Sequence, residues 1–166
     1  HSPFEAVDVR DVEATVALPG RTLAILRPRS AEALLDEEAF EREEFLPYWA
    51  ELWPSGVALA EHVAQLELRG LRVVELGAGL GLPSLAAALR GADVLATDWS
   101  EDAVALLAAN AARNGIVLRA QVVRWDAPAG VLADSPWDLV LAADLLYEQR
   151  NADQLLELLP RLTGAG

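Results

Sequence analysis

The stretch "VVELGAGLGLPSLAAALRGADVLATDWS", residues 73–100, decides the fold. It reads as a strand, a glycine-rich turn, a helix and a second strand. The apolar run "VVEL" leads into Gly77, Gly79 and Gly81, and Pro83 suits the first turn of a helix, where a missing N–H costs nothing. "ADVLAT" is a second apolar run, and it closes on Asp98. An acid at that point of a strand–turn–helix–strand unit commonly holds a ribose. Gly77 and Gly79 let the backbone turn tightly and approach a ligand with no side chain in the way. A dinucleotide fold reads G-x-G-x-x-G, whereas the third position of that pattern here is Leu82. Glu75, two residues before the first glycine, would face a pyrophosphate unfavourably and suits a ligand that carries an ammonium group. A nicotinamide-dependent oxidoreductase is thereby disfavoured. An adenosine cofactor with an amino-acid end and no phosphate fits better.

Around this unit the alternation continues. The runs predict a strand over 71–76, a helix over 82–90, and a strand over 92–97. A helix over 101–113 follows, then strands over 117–123 and 138–143 and a helix over 151–162. Ser100 is the natural N-cap of the 101–113 helix, Glu101 and Asp102 favour the positive end of its dipole, and Asn114-Gly115 stop it. Nearly continuous apolar strands mean burial on both faces, as in a parallel sheet between helix layers. Upstream, residues 11–27 suggest a hairpin about Pro19-Gly20. An acidic helical stretch beginning near Ser30 follows, and then a helix over 56–67 capped by Ser55 with Gly70 at its exit. The fold class is α/β, a doubly wound, Rossmann-like parallel sheet with an N-terminal β-hairpin and helix. Residues 1–54 read as a hairpin and helical cap, and residues 55–166 as the cofactor-binding core.

Composition excludes several chemistries. Hydrophobic residues make up 53% of 166, enough for one domain with a sizeable core. No apolar run approaches the length of a membrane span. There is no cysteine, and the only histidines are His1 and His62, so thiolate and histidine-rich metal sites and a Ser-His-Asp triad are disfavoured. His62, in an apolar-patterned helix, reads as structural or surface. All thirteen basic residues are arginine, which removes Schiff-base chemistry and any lysine-containing phosphate loop. The net charge of −13 argues against a nucleic-acid partner; it serves solubility and is compatible with a cationic one. Without a positively charged leader at its start, the sequence is expected to be cytoplasmic.

"VVELGAGLG" and "LATDWS" resemble the first motif and the ribose-binding strand end of class I S-adenosylmethionine-dependent methyltransferases. "LPYWAELWPSGVALAEHV" upstream and "WDLVLAADLLYE" at the fourth core strand narrow the likeness, over about residues 45–160, to methyltransferase family 16. That family includes protein-lysine methyltransferases and has carried a nicotinamide N-methyltransferase-like label. The resemblance implies that S-adenosylmethionine is the cofactor, with S-adenosylhomocysteine as product. Glu75, Gly77 and Gly79 would cradle the methionyl end, and Gly81 would let the helix start close by. Asp98 would accept the ribose hydroxyl hydrogens, and Trp99 would pack on the adenine. Trp125 matches the family's tryptophan after the third core strand. Asp126 would either accept the adenine amino hydrogens or cap a turn before Pro128. Trp53 would help close the pocket. Asp144 and Tyr147, in "DLLY", would orient the acceptor amine and wall its slot, as the catalytic pair. Trp137, at the start of a strand, reads as core, and Trp49 is left open.

The implied activity is N-methylation, of a protein lysine or of a small-molecule amine or ring nitrogen. A non-catalytic cofactor-binding or interaction domain is the remaining alternative. An acidic rim, with Glu41, Glu43, Glu44 and Glu51 as candidates, would steer a basic protein segment. No metal, nucleic acid or membrane is expected in the reaction, and the oligomeric state is open. A full class I sheet has seven strands and four core strands are visible here, so the resemblance implies that the sequence is truncated, that its later residues are disordered, or that a partner chain supplies the missing edge.

Overall fold

The computed structural model describes residues 11–28, 52–143 and 149–164. The acidic stretch from Ser30, Glu41, Glu43, Glu44, Trp49 and Glu51, and the pair Asp144 and Tyr147, lie outside the described residues.

The described residues begin with β1 (Asp11–Leu18) and β2 (Arg21–Pro28), paired antiparallel from Leu18↔Arg21 to Asp11↔Pro28. Pro19-Gly20 makes the turn, and Gly20 has φ 83°, a region open to glycine and strained for other residues. Alternation turns Val16, Leu18, Leu23 and Ile25 into the core. Helix α1 follows (Pro54–Val63). The sequence suggests Ser55 as its cap, but Trp53 occupies that position and Pro54 the first helical one. Proline fits there because its φ is already helical and its missing N–H would be unsatisfied anyway, so the cap moves one residue upstream of it. His62 is exposed on this helix.

The alternating unit is β3 (Arg72–Leu76), α2 (Leu82–Leu89), β4 (Asp93–Asp98), α3 (Glu101–Arg113) and β5 (Arg119–Val122). It continues with a single turn, α4 (Ala129–Leu132), then β6 (Leu139–Ala142) and α5 (Gln149–Thr163). The four strands are parallel in the order β5-β4-β3-β6. The chain therefore winds outward from β3 through β4 to β5, then crosses back to the other side of β3. The crevice at this reversal, outside the strand carboxyl ends, is where open α/β sheets bind ligands. β3 and β4 are buried on both faces, as their apolar runs imply. β5 and β6 flank them, are shorter than the sequence suggests, and are more exposed than the central pair.

Two apolar layers sandwich the sheet. On one face Val73 and Val94 meet α1, α2, α3 and the hairpin. On the other, Val74, Leu76 and Leu95 meet α4, α5 and Trp137. Trp137 is core, as expected: its Nε1 donates to the Val131 carbonyl at 3.0 Å, and the Arg72 guanidinium lies 4.9 Å from its ring.

Candidate active site

Period-two alternation carries the argument from strand to site. Val73 and Glu75 share one face of β3, so Glu75 points into the apolar layer containing α2. A carboxylate there is costly unless it is hydrogen-bonded. Its Oε1 accepts from the Ser84 amide at 3.1 Å and from the Ser84 hydroxyl at 2.7 Å. Ser84 is the third residue of α2, whose own cap, Gly81, has no side chain. Glu75 therefore supplies from the neighbouring strand the hydrogen-bond acceptor that the N-terminus of α2 lacks in its own cap. It is only 2% exposed, and burial pushes its pKa up to about 8 against the pull of the Ser84 hydrogen bonds.

Asp98 does the equivalent one strand over. It ends β4 at 5% exposure, one oxygen accepting from Gly79 N–H and the other from Ser100 N–H, both at 2.9 Å. One carboxylate thus ties the glycine turn to the start of α3. Burial raises its pKa, and the Ser100, Gly79 and Trp99 amides oppose the rise. Ser100 caps α3, its hydroxyl oxygen accepting from Ala103 N–H at 3.3 Å.

The turn between them needs its glycines for backbone reasons. Gly77, Gly79 and Gly81 have φ of 60°, 55° and 77°. Gly81 is also sterically fixed, because a Cβ there would fall onto Leu107 of α3. In the structure it lets α2 start against α3, which is a packing role. The turn is knitted further by Ala78 N–H to the Thr97 carbonyl and Gly81 N–H to the Ala78 carbonyl, each at 2.8 Å.

Trp99 follows Asp98 and is 38% exposed; Trp53 caps α1 and is 42% exposed. Trp125, after β5, is half-buried and packs on the Val74 layer. Asp126 is engaged differently from either sequence reading. Its carboxylate forms a two-point ion pair with Arg124, at 3.1 and 3.2 Å, which holds its pKa below the ordinary range. The structure therefore brings Glu75, Gly77, Gly79, Gly81 and Asp98 together at the carboxyl ends of β3 and β4, with Trp99 adjoining.

Sequence reading missed Ser84 and Asn110. Ser84 is the one polar side chain in "LPSLAAAL". Asn110 falls in phase with Ala103, Leu106 and Leu107 on the buried stripe of α3. A polar residue in an apolar phase was the available signal in both cases.

Two buried acids with raised pKa values, on adjacent strands beside a side-chain-free turn, offer a phosphate no positive charge and gain from a cation, which favours their charged form. Their second lone pairs are acceptors for ammonium and hydroxyl hydrogens. S-adenosylmethionine, with an ammonium, a sulfonium, a ribose diol and no phosphate, fits this donor set.

Fold and site together define a class I S-adenosylmethionine-dependent methyltransferase fold. Residues 43–166 match the family described as lysine methyltransferase, and the chain belongs to that family. It is 35% identical over 121 residues to the zebrafish (Danio rerio) protein N-lysine methyltransferase METTL21A, covering 69% of this chain and 55% of that protein. It is 31% identical over 122 residues to the human (Homo sapiens) electron transfer flavoprotein beta subunit lysine methyltransferase, covering 69% and 44%. The chain thus spans about half the length of the curated relatives it matches. Among solved structures, the Thermus thermophilus 16S rRNA N2 G1207 methyltransferase RsmC superposes with a TM-score of 0.69 at 16% identity, covering 93% of this chain and 40% of that one. At that identity the likeness concerns the fold.

Proposed function

We propose that this chain is the cofactor-binding part of a protein-lysine N-methyltransferase, with residues 1–54 as a cap and 55–166 as the core. The observation that supports the cofactor half is the bridge from Asp98 to Gly79 and Ser100, which holds a buried acceptor at the strand end where a ribose would sit. The acceptor half draws on family membership and on the names of the relatives, both lysine methyltransferases. The net charge of −13 is consistent with a basic protein segment as substrate.

S-adenosylmethionine supplies an electrophilic methyl group that an unprotonated amine takes in line, the sulfur keeping the bonding pair. The protein's share is alignment and exclusion of water, since no enzyme nucleophile is required. Glu75 and the glycine turn would hold the methionyl ammonium, and Asp98 the ribose hydroxyls. Trp99, Trp125 and Trp53 would enclose the adenine end, with Asp126 available at its edge once released by Arg124. β6 ends at Ala142 on the same edge of the sheet, and Asp144 and Tyr147 follow it closely in the chain. In this reading Asp144 accepts a hydrogen from the incoming amine and Tyr147 walls the slot.

The test is incubation with methyl-labelled cofactor and a lysate of the source organism, followed by mapping of the label. Label on protein lysine, reduced about a hundredfold by Asp144→Asn, is expected for a group that orients the acceptor. Label confined to small molecules would transfer the reading to a small-molecule amine methyltransferase. Absence of label in every fraction would leave a cofactor-binding module.

A further inference from the structure

Asn110 and Asn114 stand one turn apart on the face of α3 that meets the hairpin. Asn110 is 0% exposed. Its Oδ1 accepts from Leu26 N–H and its Nδ2 donates to the Leu26 carbonyl, both at 2.8 Å. Asn114 repeats the pattern two residues back, accepting from Ala24 N–H at 3.0 Å and donating to the Ala24 carbonyl at 2.9 Å. In an antiparallel pair every second residue turns its N–H and C=O away from its partner strand. A helix has no spare backbone groups mid-length to receive them. Two amides four residues apart on a helix span about 6 Å, and two alternate residues of a strand about 6.8 Å. The asparagines therefore act as a short surrogate strand beside β2.

The two halves of this clamp meet different surroundings. Leu26, gripped by Asn110, packs with Leu106 of α3 and with Leu80. Leu80 belongs to the glycine turn itself, between Gly79 and Gly81, and is buried. Ala24, gripped by Asn114, lies toward the other end of α3, where Asn114 is also the C-cap. Among the described residues, the Asn110 half is the one that packs on the turn.

We propose that Asn110 is a positioning residue of the cofactor site. By fixing Leu26 against α3 it sets the wall on which Leu80 seats, and so the shape of the turn whose Gly79 amide meets Asp98. Asn110 touches neither cofactor nor substrate in this scheme. The functional side of the inference rests on reading that turn as the cofactor cradle.

Asn110→Ala and Asn114→Ala in the full chain separate positioning from general stability. Both lose two hydrogen bonds to the same hairpin, and both are expected to lower Tm. Hydrogen exchange of the Gly79 and Gly81 amides, without ligand, is expected to quicken about tenfold in Asn110→Ala and to stay within about twofold of the parent in Asn114→Ala. The Kd for S-adenosylhomocysteine by calorimetry is expected to follow the same split, about tenfold weaker against about twofold. Equal effects of the two variants on the turn, or an unchanged turn in Asn110→Ala, would overturn the proposal. If the parent itself fails to bind S-adenosylhomocysteine, the cofactor reading falls, while the exchange measurement still decides the clamp. Should Asn110→Ala not fold, Leu80→Ala removes the seat and leaves the clamp intact. The same loosening of the turn supports the proposal, and an unaltered turn refutes it.

Discussion

Glu75 is a carboxyl group held in place by hydrogen bonds and opposed by its own burial. In the folded chain its pKa is raised to about 8 from an ordinary 4.5. Between those values the folded state holds a proton that the unfolded state has released. Raising the pH through this window therefore favours unfolding. The stabilisation is complete below the unfolded value and is lost as pH passes the folded one. Asp98, also shifted upward by burial, adds a contribution of the same sign. Ligand-free protein is thus expected to show a Tm that falls steadily from about pH 5 to pH 8, and Glu75→Gln should flatten that slope. Thermal scans of both proteins across the range check this. A parent Tm that rises over the interval would sink the assignment. Glutamine retains an oxygen for Ser84, so the hydrogen bonds to α2 survive and the titrating group alone is removed.

At the scale of elements, α3 shows why some structure was legible and some was not. Its limits were readable because capping is local. Ser100, Glu101, Asp102 and the Asn114-Gly115 stop all lie within a few residues of the ends they define. Ser100→Ala is expected to cost about 1 kcal/mol, seen as a Tm lower by about 2–4 °C, because it removes the acceptor for Ala103 N–H. Affinity for S-adenosylhomocysteine should hold, since the Ser100 amide still donates to Asp98. Calorimetry on the variant decides; a large loss of affinity would mean that the hydroxyl itself serves the site. The hairpin was legible for the same local reason, through Pro19-Gly20. The role of Asn110 was hidden because its partner, Leu26, is 84 residues away and the pairing exists only once the hairpin docks. Glu75 was half legible. Its position before the glycines marked it as part of the site, but its capping of α2 depends on the strand alternation that points it at Ser84. The pairing of Asp126 with Arg124 spans only two residues, but it depends on the turn after β5 bringing the two side chains to one side, which composition does not encode.

At the scale of the molecule, these contacts form one network around the turn. β3 sends Glu75 to the N-terminus of α2, and β4 sends Asp98 to the N-terminus of α3. The glycine turn lies between them, and the hairpin reaches it through Leu26 and Leu80. Acids and helix termini satisfy one another in pairs, yet both acids remain buried with raised pKa values, a condition that a cation relieves. A ligand placing an ammonium there should therefore stabilise the whole fold by mass action. At a free concentration near one hundred times its Kd, S-adenosylhomocysteine is expected to add about 2.7 kcal/mol, which for a chain of this size is a Tm rise of about 5–10 °C. NAD, whose pyrophosphate would face Glu75 and Asp98, should give no shift at matched concentration. Thermal scans with each compound test the site as a unit. An equal rise with NAD would mean that the turn accepts a pyrophosphate after all, and that the paired carboxylates do not select the ligand. Because S-adenosylhomocysteine lacks the sulfonium, its shift isolates the ammonium and ribose contacts. Any further rise with S-adenosylmethionine then measures how strongly the same acids attract the second positive charge.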